Sequence, residues 1–414
     1  MSDPDFIRRT LQDLRARGLY RRLTALGSAA GPRVRVGGRE PLQFASNNYL
    51  GLANDPRVKE ALARGIERWG WGAGASCLLA GHTEAHEALE ADLADFMGTE
   101  AALVFPTGYQ TNLGVLGSLV GRDDVVISDR ENHASIYDAV KLSGARLVRY
   151  THADAGDAAR LFAKHRDACR SSRRRKAAGI LSCRRLLATD TVFSMDGRLA
   201  PLQALALLAE REGAMLVLDE AHALGVLGPD GAGLAEEKRC QEPFRHWKTV
   251  PDTVSATAVV GTLSKALGGI GGFVAASREV CDLIVNRGRS FIYTTALPAA
   301  ACEAARAALA IVRAEPERRR RLLALAQRLR TALRDKGFDT GGSETQIVPV
   351  LVGAPERALA LAAALLERGI FCPAIRPPTV PPGTSRLRVS LTAEHTEEDV
   401  ERLVAALTKI RDKN

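Results

Sequence analysis

Three polar side chains in this sequence stand where an apolar run has just ended, and their types suit amine and carbonyl chemistry. Lys265 lies in Gly261-Thr262-Leu263-Ser264-Lys265-Ala266-Leu267-Gly268-Gly269, directly after Ala258-Val259-Val260. Nothing around it resembles the charged face of a solvated helix. Asp219 and His222 follow Met215-Leu216-Val217-Leu218 in the run Asp219-Glu220-Ala221-His222. A carboxylate closing an apolar strand is costly unless a donor or cation meets it; taken alone, Asp219 reads equally as a turn cap. Together, the lysine and the carboxylate match what pyridoxal 5'-phosphate (PLP) requires. An amine forms the Schiff base, and a carboxylate keeps the pyridinium nitrogen protonated so that the ring can accept electrons.

The other needs of such a site have candidates. His133, in Asp129-Arg130-Glu131-Asn132-His133-Ala134-Ser135, follows a strand and offers a ring face. His222 can hydrogen-bond the ring oxygen, with Ser194 of Phe193-Ser194-Met195-Asp196-Gly197 adding to that contact. Pro106-Thr107-Gly108-Tyr109-Gln110 opens a helix after a strand, where N–H groups and the helix dipole favour a phosphate. Thr262 and Ser264 add hydroxyl donors. Substrate carboxylates call for arginine forks: Arg376 before Pro377-Pro378, and Arg388, which shares a strand face with Arg386.

The elements around these residues alternate helix and short apolar strand from about residue 55 to 295. Expected strands are Ala101–Phe105, Val125–Ser128, Arg146–Tyr150, Leu186–Thr189, Met215–Leu218, Val259–Gly261 and Gly272–Ala275. The alternation predicts an α/β fold with a mostly parallel sheet, whose ligands bind beyond the strands' carboxyl ends. The expected organisation is an N-terminal helix and short strands over 1–50, a large α/β domain over 51–295, and a small α+β domain over 296–414. Residues 164–185 and 235–257 lack periodicity and read as surface loops. At 414 residues the chain can bury a large core. Seven cysteines without metal-ligand spacing read as reduced thiols and no metal site. No secretory signal or membrane-length apolar stretch is visible, so a cytoplasmic protein without membrane partners is expected. The net charge of +9 suits anionic substrates; the basic runs lack interleaved aromatics, which argues against nucleic acid.

These motifs resemble the α-oxoamine synthases, PLP enzymes of fold type I, over nearly the whole chain. The matching segments are Ser46–Leu52, Gly72–Ser76, Gly81–Thr83 with His86–Glu90, Thr107–Gln110, Val192–Gly197, Asp219–His222, Gly261–Gly269 and Ile292–Thr295. Ala374–Thr384, with Arg376-Pro377-Pro378, resembles the branch that condenses L-alanine with a pimeloyl thioester, carried by CoA or acyl carrier protein, in biotin synthesis; a glycine and acetyl-CoA relative is the alternative. The resemblance implies a homodimer in which Thr294, Thr295 and Thr379 approach the partner's phosphate. It implies that Arg388 holds the amino-acid carboxylate near Asn47, and that Arg22 or Arg21 contacts the acyl substrate. Three departures stand out. Ala75 replaces a common glycine, the excess length between Asp219 and Lys265 falls within 235–257, and a second excess of similar size falls within 164–185.

Overall fold

The computed structural model describes residues 5–166, 183–238 and 258–412. Short apolar runs form its strands, because residues buried on both faces of a sheet gain most from continuous Val, Leu, Ile and Ala. In chain order these are β1 (Leu42–Gln43), β2 (Ala101–Phe105), β3 (Val125–Asp129), β4 (Arg146–Tyr150), β5 (Arg185–Asp190), β6 (Met215–Asp219), β7 (Ala258–Thr262), β8 (Gly272–Ala276), β9 (Ile347–Gly353), β10 (Ile370–Phe371), β11 (Ala374–Ile375) and β12 (Ser385–Ser390). Helices α1 (Phe6–Ala16), α2 (Pro56–Trp69), α3 (Glu84–Met97), α4 (Gly108–Leu119) and α5 (Ala134–Ser143) lie in the first third.

The described residues form two compact units. The larger, residues 52–194 and 199–319, is built on a seven-stranded sheet of order β2-β8-β7-β6-β5-β3-β4. Strands β4, β3, β5, β6 and β7 run parallel, while β8 is antiparallel to both β7 and β2. Its core joins Val126, Leu186, Val217, Val260 and Val274 of the sheet to Val115 and Leu116 of α4 and Ile136 and Val140 of α5. The fold is thus the mostly parallel α/β sheet of PLP fold type I.

The smaller unit gathers residues 1–51, 195–198 and 320–414. It holds the antiparallel sheet β11-β12-β9 and the β1–β10 pair. These units break at 51 and 319 and group 1–51 and 195–198 with the C-terminal residues, whereas the expected organisation breaks at 50 and 295 and keeps 1–50 apart. The N-terminal strand Leu42–Gln43 pairs with Ile370–Phe371, which joins it to the C-terminal elements. The Ala-rich helix Ala299–Ala314 packs on α2 within the larger unit. A Cβ at Gly65 would lie 2.8 Å from Ala300 Cα, so these two helices approach to glycine distance.

Other expectations change in detail. The N-terminal amphipathic segment is helical only over Phe6–Ala16. The loops expected over 164–185 and 235–257 lie largely outside the described residues, apart from the ends Lys164–Arg166, Cys183–Arg185 and the helix Leu234–Lys238. Reduced thiols are found at Cys77, Cys281, Cys302 and Cys372.

Candidate active site

Parallel strands β5, β6 and β7 end side by side, and their last residues line a cavity in the larger unit. Asp190 and Asp219 are partners in the β5–β6 register. Thr262 ends β7, and the chain then turns through Leu263 and Ser264 to Lys265. Beyond Lys265 the chain turns again at Gly268, whose N–H donates to Lys265 O (2.9 Å) and whose φ of +71° lies in the left-handed region. A Cβ there would also fall 2.2 Å from the backbone nitrogen of Ala53. Facing the strand ends is the start of α4, where Thr107 caps the helix by accepting from Gln110 N (3.1 Å). A Cβ at Gly272 would lie 2.6 Å from Gly108 Cα, so glycine lets the helix terminus approach the sheet this closely.

The resulting cavity, about 220 Å³, is lined by Lys265, Asp219, His222, His133, Thr107, Gly108, Tyr109, Thr262 and Ser264. Nine residues picked out for amine and phosphate chemistry thus converge. Asp219 is buried and accepts from Asn112 Nδ2 (2.7 Å) and from the Ala221 N–H (2.9 Å). It is therefore both a turn cap and a cavity carboxylate. His133 caps α5 through Nδ1, and burial holds its imidazole below the usual histidine range. Ser264 and Thr262 differ. The Thr262 hydroxyl donates to Gly271 O (2.9 Å) and stands 2.8 Å from Ser264 Oγ, so Ser264 is the hydroxyl that can turn to a ligand. Tyr109 sends its hydroxyl to Asp138 and contributes its backbone to the helix terminus.

The donor set fits PLP. It provides an amine, a buried carboxylate at a strand end, a neutral imidazole, a hydroxyl, and a helix N-terminus whose first N–H groups have no intrahelical partner.

The remaining candidates lie elsewhere. Ser194 is buried in the larger unit outside the cavity lining. Thr294 accepts from Gln110 Nε2 (3.0 Å), and Thr295 is exposed. In the smaller unit Arg388 donates to Asn47 Oδ1 (3.0 Å), Ser390 Oγ (2.6 Å) and Tyr49 Oη (3.3 Å). Arg386, which shares its strand face, donates instead to the carbonyls of Thr384 and Met195. Arg376 donates to the carbonyls of Gly18 and Tyr20. Thr379 accepts from Arg21 (3.2 Å), whereas Arg22 stacks over Tyr20 at 5.8 Å.

The profile of the family described as "Aminotransferase class I and II" matches residues 39–407. The chain belongs to that family. Within it, the chain sits among the α-oxoamine synthases whose motifs it carries. It is 50% identical over 402 residues to an 8-amino-7-oxononanoate synthase of Geobacter sulfurreducens, covering 97% of this chain and 96% of that one. It is also 50% identical to the enzyme of the same name from Anaeromyxobacter dehalogenans, covering 98% and 95%. A solved serine palmitoyltransferase from S. paucimobilis with a bound PLP–myriocin aldimine superposes with a TM-score of 0.86 at 30% identity, covering 99% of this chain and 97% of that one.

Three cavity residues of this family member escaped the sequence reading: Asn112, Ser135 and Asp190. Asp190 was findable, since it closes an apolar strand as Asp219 does. It is buried, its Oδ2 accepts from the His133 N–H (3.1 Å), and its Oδ1 has no hydrogen-bond partner. Burial, reinforced by the Asp219 charge, pushes its carboxyl well above the ordinary range. Asn112 sits one turn beyond Gly108 on α4, a spacing that shares a helix face; only the known position of the cavity makes that informative.

Proposed function

We propose that this protein is a PLP-dependent acyltransferase that condenses L-alanine with a pimeloyl thioester, giving 8-amino-7-oxononanoate, carbon dioxide and free thiol in biotin biosynthesis. The observation that carries the reading is the convergence of Lys265, Asp219, His133 and the α4 N-terminus on one cavity, in a chain half identical over its length to synthases of that name. PLP, when bound, supplies an electron sink for the carbanion at the amino acid's α-carbon.

The chain's residues supply the rest. Lys265 Nζ anchors the cofactor, then takes the α-proton of alanine and later returns one, a role that requires its neutral amine. Asp219, which accepts from Asn112 and the Ala221 N–H, would hold a proton on the ring nitrogen. His133 offers a neutral ring face, and His222 with Ser194 offers donors for the ring oxygen. Thr107, Gly108 and Tyr109 present backbone N–H groups to the phosphate, joined by the hydroxyls of Ser264 and Thr262. Arg388, held by Asn47, is the fork for the alanine carboxylate. Arg376, Thr379 and the Arg21–Arg22 pair are assigned to the acyl substrate, with Arg21 favoured because it bonds Thr379.

A homodimer completes the proposal, with Thr294 and Thr295 turned to the partner's phosphate. Exposed apolar side chains support it: Trp71, Leu79 and Tyr293 are 78%, 83% and 71% exposed, a cost most readily relieved at an interface. Among the described residues no helix is long and apolar enough to cross a membrane, and a cytoplasmic location is proposed.

The test is a substrate panel of alanine, glycine and serine against pimeloyl-CoA, pimeloyl-acyl carrier protein and acetyl-CoA. Alanine with a pimeloyl donor should turn over fastest. Preference for glycine with acetyl-CoA would replace this reading with a glycine C-acetyltransferase.

A further inference from the structure

A polarised chain of hydrogen bonds runs behind the Lys265 cavity. Asn112 donates both amide hydrogens, one to Asp219 Oδ2 (2.7 Å) and one to Ser135 Oγ (2.9 Å). Turning the amide over would set its oxygen 2.7 Å from a carboxylate oxygen, exchanging a charge-assisted bond for repulsion. The price is visible in Asn112 Oδ1, which is buried without a partner. Beyond it, Ser135 Oγ lies 2.7 Å from His133 Nδ1, and the Ser135 backbone N–H points to the same nitrogen at 3.3 Å. A backbone N–H can only donate. Nδ1 is therefore an acceptor, and the ring proton sits on Nε2.

We infer that Asn112 and Ser135 are positioning residues that tie Asp219 to His133 in a single polarity, locking His133 as the neutral Nε2–H tautomer. The groups facing His133 are Asp219 from β6, Lys265 from the loop after β7, Asp138 from α5, Asp190 from β5 and Tyr109 edge-on from α4. Burial and the Lys265 charge disfavour an imidazolium there, and the two carboxylates Asp219 and Asp138 favour it. The relay settles the contest. It uses the Asp219 charge to orient donors toward Nδ1, so that carboxylate stabilises a neutral histidine instead of drawing a proton onto it. Under the reading proposed above, a neutral ring can lie against a cationic pyridinium, whereas an imidazolium would repel it and compete for Asp219.

The test uses the full-length chain with 15N-labelled histidine, observed by long-range 1H–15N correlation at pH 7.5 before and after PLP is added. The His133 signals are those lost in His133→Asn. One neutral tautomer is expected in both states, with an unprotonated Nδ1 and a protonated Nε2. Ser135→Ala and Asn112→Leu should each give mixed tautomers, and Ser135→Thr should restore the single form. Ser135→Ala should also lower kcat roughly tenfold, as one neutral hydrogen bond is worth, while KM for alanine holds. A wild-type His133 protonated on Nδ1, or variants that keep the wild-type tautomer, would overturn the inference. Either result leaves the substrate panel unaffected, so failure of the relay is distinguishable from failure of the proposed reaction.

Discussion

Two carboxylates adjacent in sequence, Asp219 and Glu220, face opposite fates in the larger unit. Glu220 is fully buried and accepts from Thr191 Oγ1 (2.6 Å), Leu234 N–H (3.0 Å) and Ala235 N–H (2.8 Å). A Cβ at Gly233 would fall 2.7 Å from its carboxyl carbon, so the chain closes tightly over it. Asp219 accepts two donors and opens onto a cavity. A carboxylate saturated by protein donors works for the fold; one that keeps acceptor capacity beside a cavity works on a ligand. Burial alone does not distinguish them. The distribution of donors does.

The comparison breaks first at the cavity. Lys265→Ala should abolish turnover and the PLP absorbance band at the edge of the visible range. Asp219→Ala should keep the band, because Lys265 remains, yet lower kcat by roughly a thousandfold, about 4 kcal/mol; a loss below tenfold would remove Asp219 from the chemistry. Glu220→Ala comes next. It should cost about 3 kcal/mol of stability by stranding buried donors, measured by denaturant unfolding, while kcat of the folded fraction holds.

A pH test sharpens the same contrast. Burial pushes Glu220 up to about 7 from its ordinary value, so between pH 4.5 and 7 the native state holds a proton that the unfolded chain has released. Its contribution to stability is full below pH 4.5 and is lost as pH rises through 7. Glu220→Gln cannot titrate, so its stability deficit relative to wild type should narrow from pH 5 to pH 8. A constant deficit would contradict the assignment. The smallest effect is expected at Asp190, whose carboxyl burial and the Asp219 charge push well above the ordinary range: Asp190→Asn should cost less than about 1 kcal/mol of stability at pH 7.

The convergence of Lys265, Asp219, His133 and His222 on one cavity was legible because each follows an apolar run, and strand ends in parallel sheets point to one edge. The roles proposed for them came from the chemistry of their side chains and from the family resemblance. The relay was not legible. Asn112 and Ser135 are polar residues on helices, and what singles them out is a pair of bonds to residues 107 and 23 positions away in the chain. The joining of residues 1–51 to the C-terminal elements was hidden for a similar reason, since the Leu42–Ile370 pairing links segments that local periodicity treats separately. Of the two arginines Arg386 and Arg388, alternation put both on one strand face; the family resemblance singled out Arg388, and its hydrogen bonds to Asn47 and Tyr49 set it apart in the structure.

The most direct test of the central claim is a single-turnover reaction of the PLP-loaded protein with carboxyl-labelled L-alanine and pimeloyl-CoA, following labelled carbon dioxide and free thiol together. The account predicts their release in a one-to-one ratio with wild-type protein and neither with Lys265→Ala. Thiol released without labelled carbon dioxide would contradict decarboxylative condensation at this site.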